Sequence, residues 1–413
     1  LRRTMPPMLR ALENRNYRLW AAADLVSVTG SWMQVLALNW VVLERTGSAT
    51  SVGFSVLLST LPALLLGPWA GALADRFPPR RLILAGEMLH LVTALLLAAM
   101  VGLDLPLAGI YGLTAFGGLI GAFEGPALGR FAGQVVPRTD LGNALAWNSV
   151  TNSVGRVLGM SLAGVLAALV GNALLFVVNA ASFVAVLVAI FVMRPAEFHP
   201  LEVSPPEQAG VRAGLRYVGR NRTLLLLFAL GFVLSALGRN YQVTMAAMTE
   251  GPLHAGAAGY GLLSAIFAVG TVLGGLVAAR IPELTIPVLL GAGALTSALQ
   301  AVSGYLPGLV GFAAMILPIA AGAVVIDTAK STRLQLDSLE GMRGRVLSIH
   351  GAVAAGAGAL GAPLLGWLCE QAGPEQALLL AGLVTLAATG LAALALRGRV
   401  PEAEPAVAVA AEA

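Results

Sequence analysis

Long apolar runs separated by short polar breaks fill almost the whole chain. Twelve such runs stand at residues 18–43, 49–74, 81–102, 107–134, 141–169, 172–193, 223–248, 258–279, 284–304, 308–333, 346–369 and 375–396. A helix needs about 20 apolar residues to cross a bilayer, so each run is long enough to span one. Most are rich in Gly and Ala, which lets helices approach closely in lipid. The polar remainder divides the chain. Residues 1–17 predict a cytoplasmic arm or short surface helix, 18–193 a first six-helix bundle, and 194–222 a linker. Residues 223–397 predict a second six-helix bundle, and the Ala/Pro/Glu tail 398–413 a disordered end. Within the linker, Val211–Arg220 predicts a basic amphipathic helix lying on anionic lipid.

Composition supports lipid as the solvent. Of 413 residues, 57% are hydrophobic and 11% charged, whereas soluble domains carry about 25% charged residues. The net charge of +4 comes from arginines scattered through short loops, which reads as topology and not as a nucleic-acid surface. Cys369 has no second cysteine to pair with, and His90, His199, His254 and His350 show no ligand spacing. No metal site and no cofactor follow from them. The first apolar run lacks a small-residue cleavage site and reads as a membrane anchor.

Arginine sets the expected orientation. With the N-terminus inside, the inner segments hold Arg76, Arg80, Arg81, Arg130, Arg138, the linker arginines, Arg280, Arg333, Arg343 and Arg345, while the outer loops hold only Arg45. This places both termini in the cytoplasm of a cell (inner) membrane protein.

The two halves repeat. Gly71-x-x-Ala-x-Arg76-x-Pro78 returns as Gly275-x-x-Ala-x-Arg280-x-Pro282, Gly121-Ala and Gln134 as Gly322-Ala and Gln335, and Gly159-x-x-x-x-Gly164 as Gly361-x-x-x-x-Gly366. The shifts are 204, 201 and 202 residues. Three matches in order at nearly one shift predict two bundles of related structure.

Between the second and third runs stands Gly71-Ala-Leu-Ala-Asp75-Arg76-Phe-Pro-Pro-Arg80-Arg81. It resembles the loop motif G-x-L-A-D-R-x-G-R-R of the major facilitator superfamily, matching at Gly71, Asp75, Arg76, Arg80 and Arg81 and departing at Pro78 and Pro79. The resemblance implies an all-α membrane protein of twelve helices in two pseudo-symmetric bundles, with cargo held between them near the midplane. It also implies that these five residues form a conformational latch. Phe123-Glu-Gly-Pro126-Ala127, Asn143-Ala, Arg156-Val-Leu-Gly159, Asn179-Ala-Ala-Ser182 and Arg343-Gly-Arg345 are similar to a branch that includes enterobactin exporters and macrolide-efflux-like proteins. That branch implies efflux.

Charged groups at membrane depth are costly, so each is a candidate. Asp24, Glu124 and Asp327 are candidates for proton coupling, because a carboxylate can trade a proton between sides if its access changes. Arg156 is a fourth coupling candidate; it shares a face with Asn148 and Asn152 and needs a carboxylate such as Glu124 or Asp24. Asn148, Asn152, Trp32, Gln34, Asn39, Arg239, Asn240 and Tyr241 are candidates for the substrate cavity. Arg239-Asn240-Tyr241-Gln242 also predicts either a cavity-facing patch or a bend after Gly238. Glu87 and His90 read as structural, and Lys330, the only lysine, as a side chain reaching back to the headgroups.

The resulting expectation is a monomeric secondary transporter exporting an amphiphilic small molecule in exchange for protons. No G-x-x-x-x-G-K-[ST] sequence occurs, and no nucleophile–base pair or metal set suggests an enzyme. Proton-coupled uptake or lipid flipping are the rival readings, with a non-transporting sensor behind them.

Overall fold

The computed structural model describes residues 7–200, 211–339 and 342–396. The expected disordered tail 398–413, linker residues 201–210 and the first six residues of the arm lie outside them. The described chain is helical, with α1 (Arg15–Thr46), α2 (Ala49–Arg76), α3 (Pro79–Gly102), α4 (Leu107–Val135), α5 (Leu141–Val170), α6 (Asn172–Val192), α7 (Val211–Arg220), α8 (Arg222–Gly238), α9 (Tyr241–Glu250), α10 (Gly256–Arg280), α11 (Ile286–Ser303), α12 (Gly308–Leu336), α13 (Arg343–Ala372) and α14 (Pro374–Leu396). Counting α8 and α9 as one broken span, twelve helices among the described residues are long and apolar enough to cross a membrane.

Local chemistry sets the helix ends. Ser48 caps α2 by accepting from Ser51 N, Asn221 caps α8 by accepting from Thr223 N and Leu224 N, and Thr285 caps α11. Single glycines make the turns between α5 and α6 and between α13 and α14: Gly171 has φ +80° and Gly373 has φ +88°. A side chain there would force the backbone into a region L-residues avoid. Their separation of 202 residues (373 − 171) extends the sequence repeat to the turns.

Helices α1–α6 form one half, in which α1 packs on α5 and α6, and α2 and α3 pack on α4. The other half spans α8–α14, with α8 on α13 and α14, and α10 and α11 on α12. The halves meet along two seams, α2 with α13 and α5 with α10. The repeated glycines explain why. Gly159 admits the Thr29 carbonyl of α1, and its counterpart Gly361 admits the Ala236 carbonyl of α8, so both close contacts lie within a half. Gly164 faces Gly261 of α10, and its counterpart Gly366 faces Ala49 and Thr50 of α2, so both lie between halves.

Close contacts join the halves toward the end remote from α7. There Asn39 Nδ2 donates to Tyr260 Oη at 3.4 Å, Trp40 stacks on Tyr260 with centroids 6.0 Å apart, and Glu370 accepts from Ser48 Oγ and from Thr50 N. Toward the other end Gly67, Gly71, Gly275 and Gly351 have no atom near the space a side chain would take. The close contacts between the halves thus gather at the end remote from α7.

Two surface elements are docked on the bundles. Val218 of α7 is buried in an apolar cluster with Leu224 and Val346, and Tyr217 Oη accepts from Leu339 N at 3.0 Å. The linker helix thus spends one face on the second half while Arg216 and Arg220 stay exposed. In the arm, Ala11 is fully buried and its N–H donates to Asn143 Oδ1 at 2.9 Å, so this segment is docked on the first half.

Candidate functional site

A cavity of about 190 Å³ lies where the two halves meet, at mid-depth. Trp32, Arg156 and Met160 come from the first half, and Arg239, Tyr241, Tyr260, Phe267, Thr271 and Asp327 from the second. Four consecutive polar residues break the seventh span: α8 ends at Gly238, Asn240 stands at φ −83° and ψ 46°, and α9 restarts at Tyr241. That break turns Arg239, Tyr241 and Gln242 into the cavity. Asn240 does not line it; the side chain is buried and donates to Ala236 O at 2.9 Å, holding one of the carbonyls that the break frees.

The charged groups here form an unequal set. Asp327 is ion-paired with Arg239 and lies 3.4 Å from Lys330 Nζ. Lys330 is 3% exposed and packs against Gly231. It points into the bundle, not back to the headgroups, because Asp327 one turn away offers it a counter-charge that the lipid interior lacks. Arg156 sits midway along α5. Its Nη2 donates to Thr271 Oγ1 at 2.6 Å across the seam, and its guanidinium lies over the Trp32 ring, 5.6 Å from the centroid. Of its expected partners, Glu124 is engaged with His90, and Asp24 lies within Coulombic range of Glu87 and Tyr17.

Glu124 is 5% exposed and lies against Gly86 of α3, with Oε2 3.3 Å from His90 Nε2. Glu87, also buried, is within Coulombic range of both Glu124 and Asp24. Three carboxylates on α1, α3 and α4 therefore gather inside the first half. His90 connects this group to a second cavity of about 510 Å³, where it stands among Gln34, Asn39, Ser55, Thr93 and Asn179. Its ring is stacked on Phe183, centroids 5.4 Å apart. Gln34 Oε1 accepts from Asn179 Nδ2 at 2.8 Å. The two cavities share Trp32, Val35 and Gln242, so they adjoin along α1 and α9.

Of the remaining candidates, Asn148 and Asn152 line neither cavity and are exposed. In the latch segment, Arg80 donates to Ile190 O at 3.2 Å, fixing α3 to the end of α6, and Arg130 donates to Ala74 O, fixing α4 to the end of α2. Gly71 is open on its outer side, and Arg76 and Arg81 are exposed. The Asp75 side chain lies outside the described set. Tyr260, Thr271 and the Glu87–His90 pair were not singled out for the site by sequence reasoning. Tyr260 could have been suspected as the one aromatic in Gly259-Tyr-Gly261, where small neighbours let another helix close upon it.

The transmembrane secretion effector family matches residues 8–412. The multidrug efflux pump Tap of Mycolicibacterium fortuitum is 28% identical over 385 residues, 85% of this chain and 88% of that protein. The staphyloferrin A transporter of Staphylococcus aureus is 23% identical over 258 residues, 61% of this chain and 64% of its own length. Among solved structures, the nucleoside transporter NupG superposes with a TM-score of 0.74 at 11% identity, covering 93% of this chain and 100% of that one. A bacterial homologue of the iron transporter ferroportin in its inward-facing state gives 0.70 at 17%, covering 92% and 98%. At such identities these structures speak to the fold alone. With a family match over nearly its whole length and relatives named as efflux pumps, the chain belongs to the transmembrane secretion effector family, in the efflux branch of the major facilitator superfamily, and is a multi-pass transporter rather than an enzyme.

Proposed function

We propose that this protein is a proton-coupled exporter of an amphiphilic small molecule, acting as a monomer in the cell membrane with both termini cytoplasmic. The observation that carries the reading is the mid-depth cavity, walled by both halves, with close contacts joining the halves toward one end. A site that opens to one side at a time can carry cargo across without a continuous pore. With the termini inside, the end held by these contacts faces away from the cytoplasm. The cavity's mixed wall, with Trp32, Met160, Met245 and Phe267 beside polar groups, suits a molecule with an apolar body and a polar end. Relatives named as efflux pumps support the outward direction.

The proton is assigned to Glu124 and His90. The pair is at membrane depth, is flanked by Glu87, and reaches the polar cavity through His90. Protonation decides whether this buried site carries net charge, and that biases which side it can be opened to. Asp24, Arg156 and Asp327 act as supporting charges.

In proteoliposomes an imposed pH gradient should drive a fluorescent amphiphile uphill, and a protonophore should stop it. Absence of gradient-driven flux across a panel of neutral, anionic and cationic probes would end the exporter reading. Glu124→Gln should keep downhill exchange at about the wild-type rate while uphill accumulation falls to a ratio near one; a variant that still concentrates its probe clears Glu124 of the coupling role.

The seal gives a smaller effect. Glu370 of α13 accepts from Ser48 and Thr50 at the start of α2, so it satisfies a helix N-terminus across the seam. Glu370→Ala should weaken the sealed state by about 0.5–1 kcal/mol. Maleimide labelling of a cysteine placed at Thr50, in a Cys369→Ala background, should quicken about two- to fivefold; unchanged labelling removes Glu370 from the seal.

A further inference from the structure

The exporter reading leaves the charge of the cargo open, and the central cavity bears on it. Two guanidiniums and one carboxylate line it, and Lys330 adds a third cation on the same carboxylate. Asp327 is thus already shared between Arg239 and Lys330. Arg156 has no ion pair among the described residues. Its polar contact is the Thr271 hydroxyl, its Nε is buried without a hydrogen-bond partner, and Arg239 is within Coulombic range of it. A half-buried guanidinium facing a cavity, with no counter-ion among the described residues, is costly to hold. It has a fixed place all the same, since Trp32 lies under its face and Thr271 takes one of its N–H groups. Such a fork, held in place at a cavity wall, is the arrangement that recognises a planar or tetrahedral oxyanion.

We propose that the cargo is an amphiphilic anion whose carboxylate, sulfonate or phosphate group binds Arg156, with Arg239 adding positive field, and whose apolar body lies against Trp32, Met160, Met245 and Phe267. This rests on the exporter reading of the same cavity. A cationic drug-like molecule would meet two arginines and a carboxylate that is already neutralised, so it is disfavoured. Because Arg156 reaches across the seam to Thr271, an anion at Arg156 also touches both halves at once, and its arrival changes what holds them together at mid-depth.

Three probes of matched shape test this on the full chain in detergent: 2-naphthoate, 2-naphthamide and 2-naphthyltrimethylammonium. Equilibrium binding should favour the carboxylate over the amide by about tenfold or more, with no measurable binding of the ammonium. Arg156→Gln should bring the carboxylate-to-amide ratio to about one while amide binding persists, which also reports that the variant is folded. Arg156→Lys should retain part of the preference. An unchanged ratio in Arg156→Gln, failure of the carboxylate to bind, or an ammonium that binds as well as the carboxylate would each overturn the proposal. Proteoliposome flux separates it from the broader reading. Gradient-driven export of cationic or neutral probes without anion preference keeps the exporter and ends the anion site. A carboxylate preference without any gradient-driven flux does the reverse.

Discussion

Gly164→Leu should abolish transport, by about a hundredfold, and hold the molecule open at the end where close contacts join the halves here. A β-carbon at Gly164 would stand 2.8 Å from the Cα of Gly261. The obstacle is backbone on backbone, so no side chain can rotate out of the way. Forcing bulk into such a contact costs about 1–3 kcal/mol or more, and about 1–3 kcal/mol of coupling shifts an equilibrium about 5–150-fold. Gly164 lies between halves, so that energy is relieved by parting α5 from α10, and the sealed state is depopulated. A cysteine at Thr50, on the parallel seam, should then react with an impermeant maleimide about tenfold faster. Gly366→Leu, at the counterpart position against Thr50, should block transport in the same way. Gly159→Leu is the control: it strikes the Thr29 carbonyl within the first half, so it should lower stability without favouring either opening. Wild-type transport by Gly164→Leu, or equal labelling in Gly164→Leu and Gly159→Leu, would show that this seam does not move.

The same glycines show how far the chain could be read before its structure. The repeat at shifts of 201–204 residues announced two related halves, and the apolar runs announced the twelve spans. What the repeat did not reveal is that its two glycines on one helix serve different contacts, one inside a half and one between halves. Depth along a helix is legible from distance to its ends, but rotation about the axis is set by packing against helices far away in sequence. For Arg156 the sequence therefore shows a charge deep in a helix but not the groups it meets. Its azimuth turns it to Trp32 and Thr271, whereas Glu124 turns to His90 and Gly86. Lys330 failed for a related reason. Nearness to a helix end suggests a chain that reaches for water, but Asp327 lies one turn back on the same helix and Arg239 arrives through a break in another. Asn148 and Asn152 share the spacing of Arg156 along the helix, yet they are exposed and line neither cavity, because spacing fixes a face and not what packs on it.

Asp327→Asn should be the most destabilising single change in the second half, by about 3–5 kcal/mol. The reason is Lys330, not Asp327 itself. The Asp327 side chain is 29% exposed and Arg239 46%, while Lys330 is 3% exposed. Losing the carboxylate leaves Arg239 partly hydrated by the cavity but strands the ammonium of Lys330 among Gly231, Ser235 and Ile326. Breaking a buried pair from one side is far costlier than removing both partners, since an apolar replacement leaves no charge unpaired. Lys330→Met added to Asp327→Asn should therefore recover all but about 1 kcal/mol of the stability, read from denaturant titration in detergent. Transport should not recover with it, because Arg239 would still lack the carboxylate that fixes it at the cavity wall. Stability and flux should thus separate in the double variant. If Asp327→Asn melts like the wild type, the ammonium is not held by Asp327; if the double variant regains transport, Asp327 is a structural counter-ion and has no part in positioning Arg239.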